Sequence, residues 1–263
     1  MTATVAILPR TTARSAPAGT NIVTVASGKG GVGKTWLSIT LAHALAQAGR
    51  NTLLFDGDLG LANIDVQLGL SPRQDLGGVL AGRVTLADAA TRFAAGGFDV
   101  VVGRSGSGTL AALDSDRIRA LRDSLAILSG RYDRVVADLG AGIDASVRLL
   151  TAGAGTILAV TTDEPTALTD AYAFIKITRM KHAAADIRIV VNQAANRSDG
   201  RRTFDTLAGA CRQFLKFEPV LAGIIQRDDK VKDAIRHQAP LLVRHPSCRA
   251  AEDVAALARH LDY

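Results

Sequence analysis

Aromatic residues make up only 4% of this 263-residue chain, and tryptophan occurs once, at position 36. The core must therefore be built from Ala, Val, Leu and Ile. Cysteine is almost as scarce. Cys211 and Cys248 are the only two. Their spacing suits no metal site, and they read as free thiols in a reducing compartment rather than a disulfide. No apolar run approaches the ~20 residues needed to cross a bilayer. Residues 1–20 lack the apolar segment of a secretory signal, and Pro9, Pro17 and scattered Arg and Thr point to a flexible leader. A cytoplasmic protein is expected. No helix-turn-helix pattern or zinc-finger spacing is present to read a base sequence. No repeat or linker divides the chain.

What the chain does have is apolar residues in bulk, 48% by count. That is ample for one large domain over residues 21–263. A net charge of +6 permits DNA, acidic lipid or an acidic protein as a partner without choosing among them.

The richest segment is Gly28-Lys29-Gly30-Gly31-Val32-Gly33-Lys34-Thr35. It satisfies the phosphate-loop pattern G-x-x-x-x-G-K-[ST]. Residues 21–26 before it are β-branched and apolar, which predicts a buried strand. After it, Leu37, Leu41 and Leu45 recur at helical spacing, and Gly49 stands where a helix C-cap belongs. The glycines thus lie between a strand and a helix. Gly28, Gly30, Gly31 and Gly33 let backbone N–H groups turn inward, and the helix N-terminus adds partial positive charge. Lys34 is placed to reach the β- and γ-phosphates and the Thr35 hydroxyl to ligate Mg²⁺. Lys29 is not needed to hold phosphates within one subunit. Its presence points to a nucleotide completed by a partner chain.

Further strands are predicted over 52–55, 98–102, 134–137, 155–160, 187–191 and 222–225. Helices are predicted over 115–128, 165–182 and 202–215. This alternation predicts an α/β fold with a largely parallel twisted sheet and helices on both faces. Ligands in such sheets bind at the carboxyl ends of the strands. Asp56, Asp58, Asp138 and Asn192 each follow a strand, and a triphosphate site needs carboxylates to hold Mg²⁺ and orient water.

These residues carry a family resemblance that runs from about Asn21 to the C-terminus. Residues 27–35 resemble the deviant Walker A motif of the MinD/ParA ATPases, the SIMIBI type of P-loop NTPase. Residues 56–65, Asp-Gly-Asp-Leu-Gly-Leu-Ala-Asn-Ile-Asp, are similar to switch I, and residues 138–143, Asp-Leu-Gly-Ala-Gly-Ile, to switch II. Residues 60–66, 140–142 and 161–172 are similar to the FlhG (FleN) branch, the regulators of flagellar number and placement. The resemblance implies a slow, Mg²⁺-dependent ATPase that forms a homodimer on binding ATP. Residues 28–35, Val32 included, would bind the phosphates. Thr35 would ligate Mg²⁺, with Asp56 and Asp138 near it through water. Asp58 would position the hydrolytic water. Lys29 would reach the other subunit's ATP, and a charge supplied in trans is worth roughly 10³–10⁵ in rate. Asn192 and Arg227 would flank the base. ATP rather than GTP follows from the resemblance, there being no guanine-reading N-K-x-D run.

Three positions depart from the family's pattern. Gln226 stands where a proline is usual and Leu139 where a polar switch II residue is common. Trp36 follows the loop threonine where a small or polar residue is usual, and it is expected to pack against a neighbouring helix. Protein partners are implied, namely flagellar assembly or polar-positioning factors, with a position at the cell pole among the implied outcomes. Partition of DNA or cargo in the ParA manner and division-site selection in the MinD manner are the alternatives. Arg197, Arg201, Arg202, Arg212, Lys216, Lys230, Lys232, Arg236 and Arg244 crowd the last third, and ParA relatives hold DNA non-specifically through such residues. Val254, Leu257 and Leu261 form an apolar stripe on the final helix, but Glu252, Asp253 and Asp262 accompany it. A core helix is expected there rather than a membrane-surface one, with no separate membrane-binding tail.

Overall fold

The computed structural model describes residues 19–103 and 114–261. Of the expected leader only Gly19 and Thr20 fall within them, in a turn; Asp262 also lies outside. The strands are β1 Ile22–Ser27, β2 Thr52–Gly57, β3 Thr91–Phe93, β4 Phe98–Val101, β5 Arg134–Ala141, β6 Thr156–Thr161, β7 Ile187–Ala194 and β8 Val220–Gln226. They form one sheet in the order β3-β4-β2-β5-β1-β6-β7-β8. Every pairing is parallel except β3 with β4, at the edge.

The strands read as continuous apolar runs because both faces are covered. Val23, Val25, Leu54, Val136, Leu158 and Val160 face one apolar layer; Ile22, Leu53, Phe55, Val135, Ala137, Ile157 and Ala159 face the other. The first layer is closed by α1 Lys34–Gln47, α2 Ile64–Leu68, α8 Asp229–Arg236, α9 Leu241–Arg244 and α10 Arg249–Leu261. The second is closed by α3 Leu76–Leu80, α4 Ser115–Ser129, α5 Ala145–Thr151, α6 Pro165–Lys181 and α7 Arg197–Ala210, which runs into a π-helical turn, Cys211–Leu215.

Val254, Leu257 and Leu261 on α10 are buried, as expected of a core helix. Gly49, at φ 84°, ends α1 in the left-handed region, and Arg50 N donates back to Leu45 O at 3.1 Å. The strands run further than propensity predicts. Asp56 lies inside β2, Asp138 inside β5 and Asn192 inside β7, rather than after them. The ladder carries the two aspartates: Asp56 is the direct partner of Asp138 and Gly57 of Leu139. The helix expected from 202 begins at Arg197, capped by Asn196, whose side chain accepts from Asp199 N at 2.9 Å. No helix among the described residues is long and apolar enough to cross a membrane.

The layers carry the stability. Leu41→Ala, at a residue with no exposed surface, is expected to cost about 2–5 kcal/mol in denaturant unfolding. Ile127→Ala, at a residue 79% exposed on α4, is expected to change it by no more than about 0.5 kcal/mol. Equal losses at both positions would refute this assignment of the core.

Candidate functional site

The loop at 28–35 leaves β1 at the centre of the sheet and feeds directly into α1. Gly31 and Gly33 hold φ 80° and 90°, which a side chain adopts only with strain. Gly28 is fixed by space instead. A Cβ there would lie 2.1 Å from Asp170 O on α6. The loop lines a cavity of about 1040 Å³. Gly57, Asp58, Gly140, Asn192, Gln226 and Arg227 line the same space. The strands' carboxyl ends therefore bring Gly30, Gly31, Gly33, Lys34, Thr35, Asp58, Asn192 and Arg227 to one cavity.

Lys34 is buried, and Nζ donates to Ser27 Oγ at 3.0 Å. Burial lowers its pKa, opposed by the charges of Asp138 and Asp58. Asp138 Oδ1 accepts from Ser38 Oγ at 3.0 Å, and Thr35 hydrogen-bonds to the same carboxyl group. Asp56 accepts from backbone, Asp58 N and Ile64 N, each at 3.3 Å. Burial, then the neighbouring Asp138 charge, pushes Asp56 up to about 7. Burial pushes Asp138 up to about 6, against the Thr35 hydrogen bond and the Lys34 charge. Asp58 is half-buried, and its Oδ1 accepts from Gly60 N at 3.2 Å and Leu61 N at 2.9 Å, which closes the loop after β2.

These residues fit a hard divalent cation. Two carboxylates and a threonine hydroxyl offer oxygen donors, the preferred ligands of Mg²⁺. The pair shares one buried lysine, so its ionised form has charge to spare for a cation.

Asn192 Nδ2 donates to Val32 O at 2.7 Å, while its Oδ1 is buried without a partner. Arg227 N donates to Ala194 O at 2.8 Å, which ties the loop after β8 to the end of β7. Lys29 is held by its own chain: Nζ donates to Glu164 Oε2 at 2.6 Å and Thr166 Oγ1 at 2.7 Å. The contact to Lys29 holds the Glu164 carboxyl below its ordinary pKa.

Sequence reading missed Ser27, Ser38, Gln67, Glu164 and Thr166. Ser38 was findable, since it lies four residues after Lys34 on one helix face. Glu164 and Thr166 are more than a hundred residues from Lys29, and no local pattern joins them.

The Asp56 shift fixes a pH dependence. Its folded pKa lies above the ordinary carboxylate value, so the folded state keeps a proton that the unfolded chain has lost. Stability from this group is complete in acid and is lost as pH rises to about 7. The melting temperature of the nucleotide-free protein is therefore expected to fall relative to that of Asp56→Asn between about pH 5 and about pH 7. Parallel curves for the two proteins would refute it.

Comparison with known proteins agrees with this fold. The profile described as the CobQ/CobB/MinD/ParA nucleotide binding domain matches residues 23–241. The antiactivator FleN of Pseudomonas aeruginosa is 36% identical over 92% of this chain and 86% of that protein. The flagellum site-determining protein YlxH of Helicobacter pylori is 30% identical over 83% of this chain and 74% of its own length. The septum site-determining protein MinD of Pyrococcus horikoshii, solved as a complex with Mg-ADP, superposes with a TM-score of 0.77. It is 24% identical and covers 92% of this chain and 96% of its own. This chain belongs to the CobQ/CobB/MinD/ParA nucleotide-binding family, whose MinD and ParA members are ATPases.

Proposed function

We propose that the protein is an ATP-dependent dimerising switch that hydrolyses ATP to ADP and phosphate and regulates flagellar assembly in space or number through protein partners. The observation that carries the chemistry is the buried pair Asp56 and Asp138 at the foot of a loop bearing Lys34 and Thr35. The likeness to FleN and YlxH supports the flagellar role.

In this reading the amides of 28–35 and Lys34 hold the β- and γ-phosphates, and Asn192 and Arg227 flank the adenine. Thr35, Asp56 and Asp138 would hold Mg²⁺, which would supply charge neutralisation for the transferred phosphoryl group. Asp58 accepts a hydrogen bond from the attacking water and sets its line of approach. Lys29 acts on the ATP of a second copy. To do so it must leave Glu164 and Thr166. An ion pair this exposed contributes little net stability, so triphosphate oxygens compete well for the same ammonium group.

Five of the nine basic residues that crowd the last third are paired with carboxylates. Arg197, Arg201, Arg202, Arg212 and Arg244 form ion pairs with Asp253, Asp205, Asp199, Glu218 and Asp233. The likeness to FleN and YlxH, rather than these ion pairs, favours protein partners over DNA.

Lys29→Ala and Asp58→Ala are expected to act in opposite directions. On gel filtration with ATP and Mg²⁺, Lys29→Ala should stay monomeric, while Asp58→Ala should accumulate as a dimer and lose phosphate release by about 10²-fold or more. An Asp58→Ala protein that remains monomeric with ATP would sink the switch reading.

A further inference from the structure

Trp36 stands in two environments at once. One side packs on the apolar layer beneath α1, among Ile39, Leu68, Ala234 and Ile235, as a helix-packing residue should. Another side lines the 1040 Å³ cavity beside Lys34, Thr35 and Asn192. The expectation that Trp36 only packs against a helix is thus half the answer.

Its pyrrole edge faces the loop. Nε1 lies 2.5 Å and Cδ1 3.2 Å from the point where a Cβ on Gly33 would stand. Asn192 Nδ2 approaches the same point at 2.6 Å. The indole and the Asn192 amide therefore converge on one backbone atom of the phosphate loop. Asn192, only 1% exposed, leaves Oδ1 unpaired, and the Gln67 Oε1 on α2 is buried and unpaired as well. Both residues line the cavity. Buried polar atoms without partners are costly and rare. Asn192, Gln67 and Trp36 line one cavity, so hydrogen-bonding side chains and a flat apolar ring share it, a combination that suits a heteroaromatic ligand carrying its own donors and acceptors.

We propose that Trp36 is a nucleotide-contacting residue, its indole forming the wall on which the purine nucleoside rests, with Gln67 as a polar contact on that wall. The inference rests on the reading of 28–35 as the phosphate site. It adds a nucleoside contact at a position where family members carry a small or polar residue.

Trp36 is the chain's one tryptophan, so tryptophan emission reports this wall alone. MgADP is titrated into the full-length protein with emission and calorimetry read in parallel, and inorganic pyrophosphate is titrated separately. A saturable emission change with the calorimetric midpoint is expected. Trp36→Leu should weaken ADP by about 3- to 10-fold and leave pyrophosphate within about twofold. Should that variant fail to fold, Trp36→Phe carries the comparison, since it keeps the packing and removes only the N–H and part of the ring. Its loss should again be confined to ADP. Flat emission while calorimetry records ADP binding, or equal losses for ADP and pyrophosphate, would overturn the inference. If the unmodified protein binds neither ligand in calorimetry, the phosphate-site reading itself fails and this inference with it.

Discussion

Two carboxylates held side by side in a dry place set the terms for everything around them. Asp56 and Asp138 face each other across the β2–β5 ladder, and both are almost fully buried. Their ionised forms repel and are poorly solvated, so burial favours protonation of the pair. Lys34 answers part of that charge, but burial depresses its own pKa. The protein thus keeps a local deficit of positive charge beside a loop whose amides and helix N-terminus attract anions. A cation alone or an anion alone satisfies only half of this. A metal-bound polyphosphate satisfies both, so occupancy of the site and the stability of the folded state are thermodynamically linked.

The same constraint shows why some of the fold was legible and some was not. The glycine pattern, the β-branched run before it and the leucine spacing after it each depend on a few neighbouring residues, and the strand–loop–helix unit follows from them. Long helices such as α4 and α6 announce themselves by periodicity. The short elements do not: β3 has three residues, α2 and α3 five each, and no period can be read in so few. Strand ends were underestimated for a different reason. Asp, Gly and Asn disfavour strands in isolation, yet a ladder with partners on both sides, Val25 on β1 and Asp56 on β2, holds Asp138 in extended backbone. Propensity lost to tertiary pairing at the positions that line the site, which is where local and global preferences are expected to conflict. The contact of Lys29 with Glu164 and Thr166 was beyond sequence reading altogether, because it depends on how the loop after β6 returns to the loop after β1.

Gln226 shows how a departure from a family's pattern is absorbed. A proline at this position would fix φ and supply no N–H. Gln226 gives two donors instead. Its backbone N and its Nε2 reach Asp253 Oδ2 at 3.0 and 3.2 Å, and Arg197 reaches Asp253 Oδ1 at 2.6 Å. Asp253 lies on α10 with a side chain 1% exposed, and a carboxylate so placed must have its oxygens paired. The loop that carries Arg227 past the cavity is therefore fixed by the last helix rather than by a rigid ring. That gives α10 a second task beside filling the core. Its apolar stripe buries Val254 and Leu257, and Asp253, adjacent in sequence, anchors the turn out of β8. Restoring proline at 226 would strip Asp253 of both donors while leaving Arg197 as its single partner. The glutamine and the buried aspartate are in this sense one feature, and the geometry at the far end of the cavity depends on keeping them together.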